Sequence, residues 1–457
     1  MRRTFVISLI LLAAAAFGQQ IHVPPTTRQT LDNGLTVILM EYRKVPIVYF
    51  RLVARGGSAQ DPAGVEGVAG LTTALMREGT TTRSSTEISN TIDFIGGSLS
   101  VDAGLEYCAA NSEVLAKDVD TGLDLFSDVI LRPSFPDEEI ERQRKQSLAG
   151  LDAVKENPRS IASITFSKNV YGGHPYGHQS FGTRSSLEML TKRDLLEFYR
   201  KVFVPDNSIL VVVGDFKVAE MHNKIRTAFG SWAAAGKVDL TLPPPAMLRG
   251  RKVVLVDKAD ATQTQIRVGN TGVDIKHPDY IAITVANTIF GGGFTSRLND
   301  ELRVKRSLTY GAGSGFAANL AGGSYSISTF TKNETIKETM DVILEELKKF
   351  REKGATREER EKAQNYMAGN FARSLQTPEA LASRMTDIEL YGFPKDYLET
   401  YIKKIKAVSL SDVQRAARTY FLLDDLLMVF VAPAQHIMPV AEPYGPVSVV
   451  DLKDAVQ

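Results

Sequence analysis

The chain contains an internal repeat, which limits the folds open to it more than any other feature does. Residues 119–124 (VDTGLD) correspond to residues 336–341 (IKETMD), and residues 136–139 (PDEE) correspond to residues 356–359 (TREE). The offset is about 220 residues, much longer than the period of a solenoid repeat. Between the copies lies the segment 234–250, whose three consecutive prolines favour a stiff, extended spacer. The sequence therefore predicts two homologous halves on a linker, arranged as a clamshell with a site between them.

Each copy mixes strand and helix patterns, which predicts an α+β fold. The Asn33-Gly34 pair between two alternating stretches is typical of a tight β-hairpin turn. The apolar run Ser208 to Val213 predicts a buried strand, followed by a helix over residues 217–229. In the second copy, residues 264–268 predict a strand and residues 280–290 predict a helix.

The repeat and the linker define the predicted domain boundaries. We expect an N-terminal domain over residues 24–233, the linker over residues 234–250 and a C-terminal domain over residues 251–440. Residues 441–457 are expected to form a C-terminal tail.

The first 18 residues have the organisation of a secretory signal peptide. Arg2 and Arg3 provide the positive charge, an apolar run of about 12 residues follows, and Ala16-Phe17-Gly18 offers a small-x-small cleavage site. The apolar run is shorter than the roughly 20 residues that span a membrane. We therefore expect an exported protein, most simply a periplasmic one, with no membrane span after the signal is removed.

Charge and cysteine content exclude several classes of function. Without Arg2 and Arg3, the chain has 52 basic and 53 acidic residues, and this balance argues against a nucleic-acid partner or a polybasic membrane surface. Cys108 is the only cysteine, which rules out an intramolecular disulfide and a cysteine-based metal site. His174 and His178 are four apart, but Pro175 and Gly177 disfavour the regular helix that would place them on one face.

Several short motifs occur in an order typical of one peptidase family. Residues 66–80 (EGVAGLTTALMREGT) predict a helix that begins among small residues and ends at Gly79. Further along are Ile95-Gly96-Gly97, the segments 155–158 (KENP) and 173–177 (GHPYG), and the glycine-rich stretch 291–298 (GGGFTSRL). Together these motifs resemble the pitrilysin/insulinase peptidases, the inverzincins, over nearly the whole chain after the signal. The similarity is closest to the short two-domain members, such as mitochondrial processing peptidase, which work as pairs of chains. It implies two α/β sandwich domains, each a mostly antiparallel sheet covered by helices, that form one half of a clamshell.

The resemblance also shows what this chain lacks. In the family, the helix carries His-x-x-Glu-His, in which two histidines hold zinc and the glutamate is the general base. Here the two histidine positions are Gly70 and Ala74, and the base position is Thr73. The position of the third zinc ligand is Gly150, and the supporting acidic position is Gln143. Because glycine and alanine offer no side-chain ligand, we expect no metal in this chain.

The second half retains a different part of the family's machinery. Arg303 and Tyr310, seven apart, match the family's C-terminal pair, which grips the substrate backbone and stabilises the oxyanion. A solvated basic helix followed by a core tyrosine is the simpler interpretation of these residues. The strand predicted over Ser98–Ala103 matches the family's substrate-binding edge strand. The resemblance assigns that role here to four consecutive residues: Ser98, Leu99, Ser100 and Val101.

Three hypotheses about function follow. The chain is a non-catalytic subunit of a heterodimeric zinc peptidase, in which a homologous subunit carries zinc and His-x-x-Glu-His while this chain supplies Arg303 and Tyr310 and binds unfolded peptide. Alternatively, it is a peptide-binding or structural assembly protein without a proteolytic role. A third alternative is a self-sufficient peptidase with ligands that the family pattern does not reveal.

Overall fold

A computed structural model describes residues 23–455, so the predicted signal peptide lies outside the described residues. The strands of the first half are β1 Thr26–Thr30, β2 Thr36–Glu41, β3 Ile47–Arg55, β4 Ser98–Ala103, β5 Tyr107–Leu115 and β6 Ser208–Gly214. Its helices are α1 Val68–Met76, α2 Ser85–Phe94, α3 Val119–Leu131, α4 Asp137–Val154, α5 Pro158–Tyr171, α6 Arg184–Met189, α7 Lys192–Val202 and α8 Val218–Phe229.

The second half repeats this content. Its strands are β7 Arg251–Asp257, β8 Gln263–Gly272, β9 Ala312–Ala318, β10 Gly323–Lys332, β11 Leu426–Ala432 and β12 Val447–Asp451. Its helices are α9 Tyr280–Asn287, α10 Arg297–Asn299, α11 Ile336–Lys353, α12 Arg357–Arg373, α13 Pro378–Tyr391, α14 Tyr397–Ala407, α15 Leu410–Tyr420, α16 Ala434–Ala441 and α17 Leu452–Ala455. The segment 441–457, expected to be a tail, thus contributes the strand β12.

The two sheets share the arrangement of five of their six strands. The first has the strand order β1-β2-β6-β3-β5-β4, and the second has the order β12-β7-β11-β8-β10-β9. In each sheet a parallel pair, β2 with β6 or β7 with β11, is followed by strands that pair antiparallel as far as β4 or β9. The sixth strands differ, because β1 precedes β2 and pairs antiparallel with it, whereas β12 comes from the C-terminal end and pairs parallel with β7. The predicted fold class is therefore confirmed: two homologous, mostly antiparallel sheets covered by helices. The strands β4 and β9 occupy equivalent edges.

The two halves exchange equivalent helices. On β2, Val37 and Leu39 pack into the core under the first half's own helices, whereas Ile38 and Met40 pack against a cluster that contains α13 residues of the second half. In return, Phe166 of α5 packs against the second sheet. Both faces of each sheet are thus covered, which explains why β6 and β11 are buried at every position.

Polar contacts also cross between the halves. The Arg28 guanidinium donates to both carboxylate oxygens of Glu389, at 3.1 and 2.7 Å. The Tyr42 hydroxyl donates to the carbonyl of Gln376 at 2.8 Å, and Arg55 donates to the carbonyl of Leu390 at 2.9 Å. The domain boundaries predicted from the sequence stay a prediction, because helices and side chains cross them. None of the described helices is both long enough and apolar enough to cross a membrane.

Candidate functional site

The helix α1 begins at a buried carboxylate. Asp61 accepts hydrogen bonds from the backbone N–H groups of Gly67 at 2.7 Å and Ala69 at 3.2 Å, which the first turn of a helix leaves without partners. Burial raises the pKa of Asp61 to about 7, while the two backbone bonds act in the opposite direction. Leu71, Leu75 and Met76 are buried in the core, so α1 is anchored by packing rather than by a metal.

At the base position, the Thr73 hydroxyl is bonded within the helix. It donates to the carbonyls of Ala69 and Gly70, both at 3.0 Å, and the side chain is buried. An alcohol oxygen is a far weaker base than a carboxylate, and the single hydroxyl proton of this side chain is already committed to the two carbonyls. Thr73 therefore cannot replace a glutamate general base.

A loop covers the first ligand position. A Cβ atom added at Gly70 would lie 3.0 Å from the carbonyl oxygen of Ser180. The loop is fastened to the start of α1, because the Ser186 hydroxyl donates to the carbonyl of Glu66 at 2.7 Å. Gly182 also packs so closely that a Cβ there would lie 2.4 Å from the same carbonyl oxygen.

The residues present do not fit a zinc ion. Gly70, Thr73, Ala74 and Val101 line one cavity of about 270 Å³ between α1 and β4, and among the described residues that line it only Asp102 is ionisable. Gly150 lies exposed on α4, outside that lining. Within residues 23–455 there is no group of three or more His, Cys, Asp or Glu side chains that could hold a metal. A zinc site requires at least three protein ligands, so this cleft offers too few.

The predicted substrate strand lies at an edge. Among residues 23–455, β4 pairs only with β5, so no described strand lies on its other side. Leu99 and Val101 point into the core, while Ser98 is exposed and Ser100 half-buried. Arg77, at the end of α1, donates to the backbone carbonyl of Leu99 at 3.1 Å. The backbone carbonyl of Leu99 is therefore already hydrogen-bonded within the chain, to the Arg77 side chain.

Arg303 and Tyr310 are placed by an irregular segment. The chain runs from α10 into a wider, π-helical stretch, Asp300–Lys305, a geometry that is frequent at functional sites. The Leu308 N–H closes this stretch by donating to the carbonyl of Leu302 at 2.8 Å, and Ser307 adopts a left-handed conformation with φ of 54°. The Thr309 hydroxyl donates to the carbonyl of Gly311 at 3.1 Å and accepts from the Gly311 N–H at 3.2 Å, which fixes the turn around Tyr310.

Both residues line one cavity of about 590 Å³ at the β9 edge of the second sheet. Arg303 is half-buried, with its guanidinium 4.9 Å from the ring centroid of Phe294. Tyr310 is 83% exposed, and its ring lies 6.4 Å from that of Phe330. Arg303 thus does not point to the outer solvent, and Tyr310 is not a core tyrosine. This cavity shares no lining residue with the one beside α1.

Two further arginines line this cavity, and the sequence alone did not single them out. Arg159 comes from α5 of the first half, and Arg267 from β8 of the second. The Arg267 guanidinium donates to the Ser163 hydroxyl at 2.6 Å. Burial, together with the nearby charge of Arg159, lowers the pKa of Arg267. The two are 108 residues apart and belong to no motif, so only the packing of α5 on the second sheet could reveal them.

Comparison with known proteins identifies the family. Residues 36–184 match the family described as insulinase (peptidase family M16), and residues 189–367 match the domain described as peptidase M16 inactive domain. An uncharacterized zinc protease of Bacillus subtilis, YmxG, is 24% identical over 410 residues, which cover 90% of this chain and 99% of the relative. An uncharacterized zinc protease of Mycobacterium leprae is 27% identical, with 85% and 88% covered.

Solved structures have the same architecture. A structure described as the peptidase M16 inactive domain from Pseudomonas fluorescens superimposes with a TM-score of 0.84 and 27% identity, covering 90% of this chain and 98% of that one. A protease from Helicobacter pylori has a TM-score of 0.82 and 21% identity, covering 90% and 100%. The relatives carry the name zinc protease, whereas the zinc-ligand positions of this chain hold no ligand. The resemblance seen in the sequence is confirmed, and this chain belongs to peptidase family M16, with a second half of the inactive-domain type.

Proposed function

We propose that this chain is a non-catalytic subunit of a heterodimeric zinc metallopeptidase. A homologous subunit with His-x-x-Glu-His would hold the zinc, and this chain would bind unfolded peptide and complete the partner's active site with Arg303 and Tyr310. One observation carries the proposal: Arg303 and Tyr310 line a common cavity, while the described residues of the cleft beside α1 offer too few ligands for zinc. The exported location expected from the sequence is part of the proposal.

The chemistry assigned to the two residues follows from their side chains. Arg303 supplies a permanent positive charge, and within the described residues no carboxylate lies within ion-pair distance of it. Its acidic neighbour Glu301 is bound to Lys305 and Arg306 instead. Tyr310 presents its hydroxyl to the cavity as a hydrogen-bond donor. Two such donors, placed where a carbonyl oxygen gains negative charge, stabilise a tetrahedral intermediate.

The test compares variants of the assembled heterodimer. The chain is co-expressed with a zinc-bearing homologue from the same genome, and kcat is measured on an unfolded peptide. We expect Arg303→Ala and Tyr310→Phe each to lower kcat by roughly 10²–10³, the usual cost of one oxyanion donor. Zinc content and complex assembly should stay unchanged, because neither residue is a ligand or a core group.

Arg306→Ala is the matched control. Arg306 lies three residues from Arg303, is exposed and does not line the cavity. We expect this variant to keep wild-type kcat. If the Arg303 and Tyr310 variants also keep wild-type kcat in an active heterodimer, the shared-site mechanism is wrong. The chain is then better described by the alternative, a peptide-binding or structural assembly protein.

A further inference from the structure

The cavity that contains Arg303 has an unusual charge. Three guanidinium groups line it, those of Arg159, Arg267 and Arg303, and no Asp or Glu is present among its described lining residues. Within residues 23–455 none of the three has a carboxylate within 4.0 Å. Most other arginines near this region are paired; for example, Arg297 forms a two-pronged ion pair with Glu359. The cavity is therefore a concentration of unneutralised positive charge.

This arrangement is costly for the folded protein. Arg267 is half-buried, and the hydrogen bond that its guanidinium donates goes to a neutral partner, the Ser163 hydroxyl. This bond does not neutralise the positive charge. Like charges close together repel one another, and burial strengthens that repulsion because the surroundings screen it less. The packing compensates these charges only weakly, since Arg159 is exposed and Arg303 rests on one face of the Phe294 ring. An anionic group that enters the cavity would supply the missing charge.

The walls of the cavity favour an extended peptide as the source of this anion. Gly311 and Gly313 expose bare backbone at the start of β9, the outermost strand of the second sheet. Gln263, Gln265 and Arg267 alternate along β8 and so face the same side of that sheet. Amide and guanidinium donors next to accessible backbone suit a carboxylate that is carried on a peptide chain, and the fork of Arg matches a carboxylate with two parallel hydrogen bonds.

We propose that this cavity is a specificity site for a carboxylate group of the bound peptide, held by Arg159 and Arg267 beside Arg303. The inference rests on the proposed function only in that the chain binds peptide. The carboxylate comes from a Glu or Asp side chain or from the C-terminus of the peptide. Arg159 and Arg267 set which peptide is bound, whereas Arg303 and Tyr310 act on the reacting carbonyl of a partner's substrate.

Binding to the purified chain, without any zinc-bearing subunit, tests the inference. Fluorescein-labelled ten-residue peptides of otherwise neutral sequence are compared by fluorescence anisotropy: one with a central Glu and an amidated C-terminus, one with Gln in its place, and one with Gln and a free C-terminal carboxylate. We expect at least one of the two carboxylate-bearing peptides to bind about tenfold to a hundredfold more tightly than the neutral peptide. Which of them binds identifies the source of the carboxylate.

Three arginine variants locate the effect. Arg159→Gln and Arg267→Gln should each remove most of the preference for the carboxylate, whereas Arg200→Gln, an exposed position on α7 outside the cavity, should keep it. The thermal midpoints of the first two variants should equal or exceed that of the wild type, because each removes an unpaired charge. A variant that merely damaged the fold would lower both binding and thermal midpoint.

Two results would overturn the inference. One is equal affinity for all three peptides. The other is a preference that persists in both Arg159→Gln and Arg267→Gln. Inorganic phosphate is added as a competitor: competition together with a carboxylate preference supports the site, and phosphate binding without any peptide preference contradicts it. Because no partner subunit is present, failure here leaves the kinetic test of Arg303 and Tyr310 standing, and failure of that test leaves this one standing.

Discussion

Asp128 is the residue whose removal should most disturb the segment that follows α1. Its carboxylate is fully buried and accepts hydrogen bonds from the hydroxyls of Thr80 and Thr82 at 2.8 Å each. Arg83 donates to it at 2.7 Å and Arg132 at 2.6 Å. One side chain of α3 thereby fixes the turn after α1 and the end of its own helix.

The structure allows the cost of Asp128→Asn to be worked out. Asparagine keeps one oxygen acceptor, but its amide group would face donors that now meet a carboxylate oxygen. Removing one partner of a buried ion pair typically costs about 3–5 kcal/mol. The side chains of Arg83 and Arg132 are 28% and 44% exposed, so water can partly replace the lost charge. We therefore expect the lower end, about 3 kcal/mol of unfolding free energy.

The assay is urea unfolding at neutral pH, with Asp124→Asn as the matched control. Asp124 also binds Arg83, at 2.6 Å, but is 56% exposed, and exposed pairs contribute about 0–1 kcal/mol. Both variants thus remove a carboxylate partner of Arg83, one buried and one exposed, and Asp128→Asn also removes the partner of Arg132. A loss of less than about 1 kcal/mol in Asp128→Asn, equal to that of Asp124→Asn, would refute this account of the buried network.

Acid should shrink the difference between the wild type and Asp128→Asn. Burial alone would raise the pKa of Asp128, but hydrogen bonds from Arg132, Thr80, Thr82 and Arg83 outweigh it and lower the pKa. The unfolded chain then binds the proton more readily than the folded chain does. The stabilisation is complete above the ordinary aspartate pKa of about 4 and is lost as the pH falls through the lowered value. An unchanged difference between neutral pH and pH 3 would contradict this sign.

Two further predictions concern the exchange of helices and the covered ligand position. A chain that ends at residue 250 should fail to give a stable monomer in analytical ultracentrifugation and urea unfolding, because without α13 the first sheet exposes Ile38 and Met40; a soluble, cooperatively unfolding monomer would refute this. Gly150→Ala, in open space on α4, should raise the free energy of unfolding by about 0.5–1 kcal/mol through helix propensity. Gly70→Ala should give no such increase, because its Cβ would meet the Ser180 carbonyl. Equal increases of both variants in thermal unfolding would contradict this, because they would show that the Ser180 loop moves aside without cost.

The sequence predicted the parts of the fold that depend on local pattern. The Asn33-Gly34 turn joins β1 to β2 as expected, and the strand predicted over Ser98–Ala103 is β4. The strand β9 was missed, because its run of Gly and Ala residues lacks the β-branched and aromatic side chains that mark a strand. The helix expected over residues 280–290 ends as a regular helix at Asn287 and continues as a π-helical turn.

Other parts could not be predicted because they depend on which half covers which sheet. The strands β6 and β11 are apolar at nearly every position, which indicates cover on both faces but not the origin of the covering helix. The exchange of α5 and α13 between the halves is set by long-range packing, which local sequence patterns do not encode. The position of Arg159 in the cavity follows from that exchange. Arg303 and Tyr310 line one cavity, and the role that the motif assigns to them stays a prediction.

The residues of the two cavities differ in their effect on the stability of the folded chain, and this difference indicates which cavity is built to bind a ligand. Around α1, Gly70 and Ala74 stand at the zinc-ligand positions, and the helix is anchored by its buried apolar face. In the second cavity, Arg267 carries an unpaired and partly buried charge that destabilises the folded chain. Features that cost stability without structural benefit are expected where a ligand is bound. On this reasoning we expect the guanidinium-lined cavity, and not the degenerate metal cleft, to be where this chain binds its ligand.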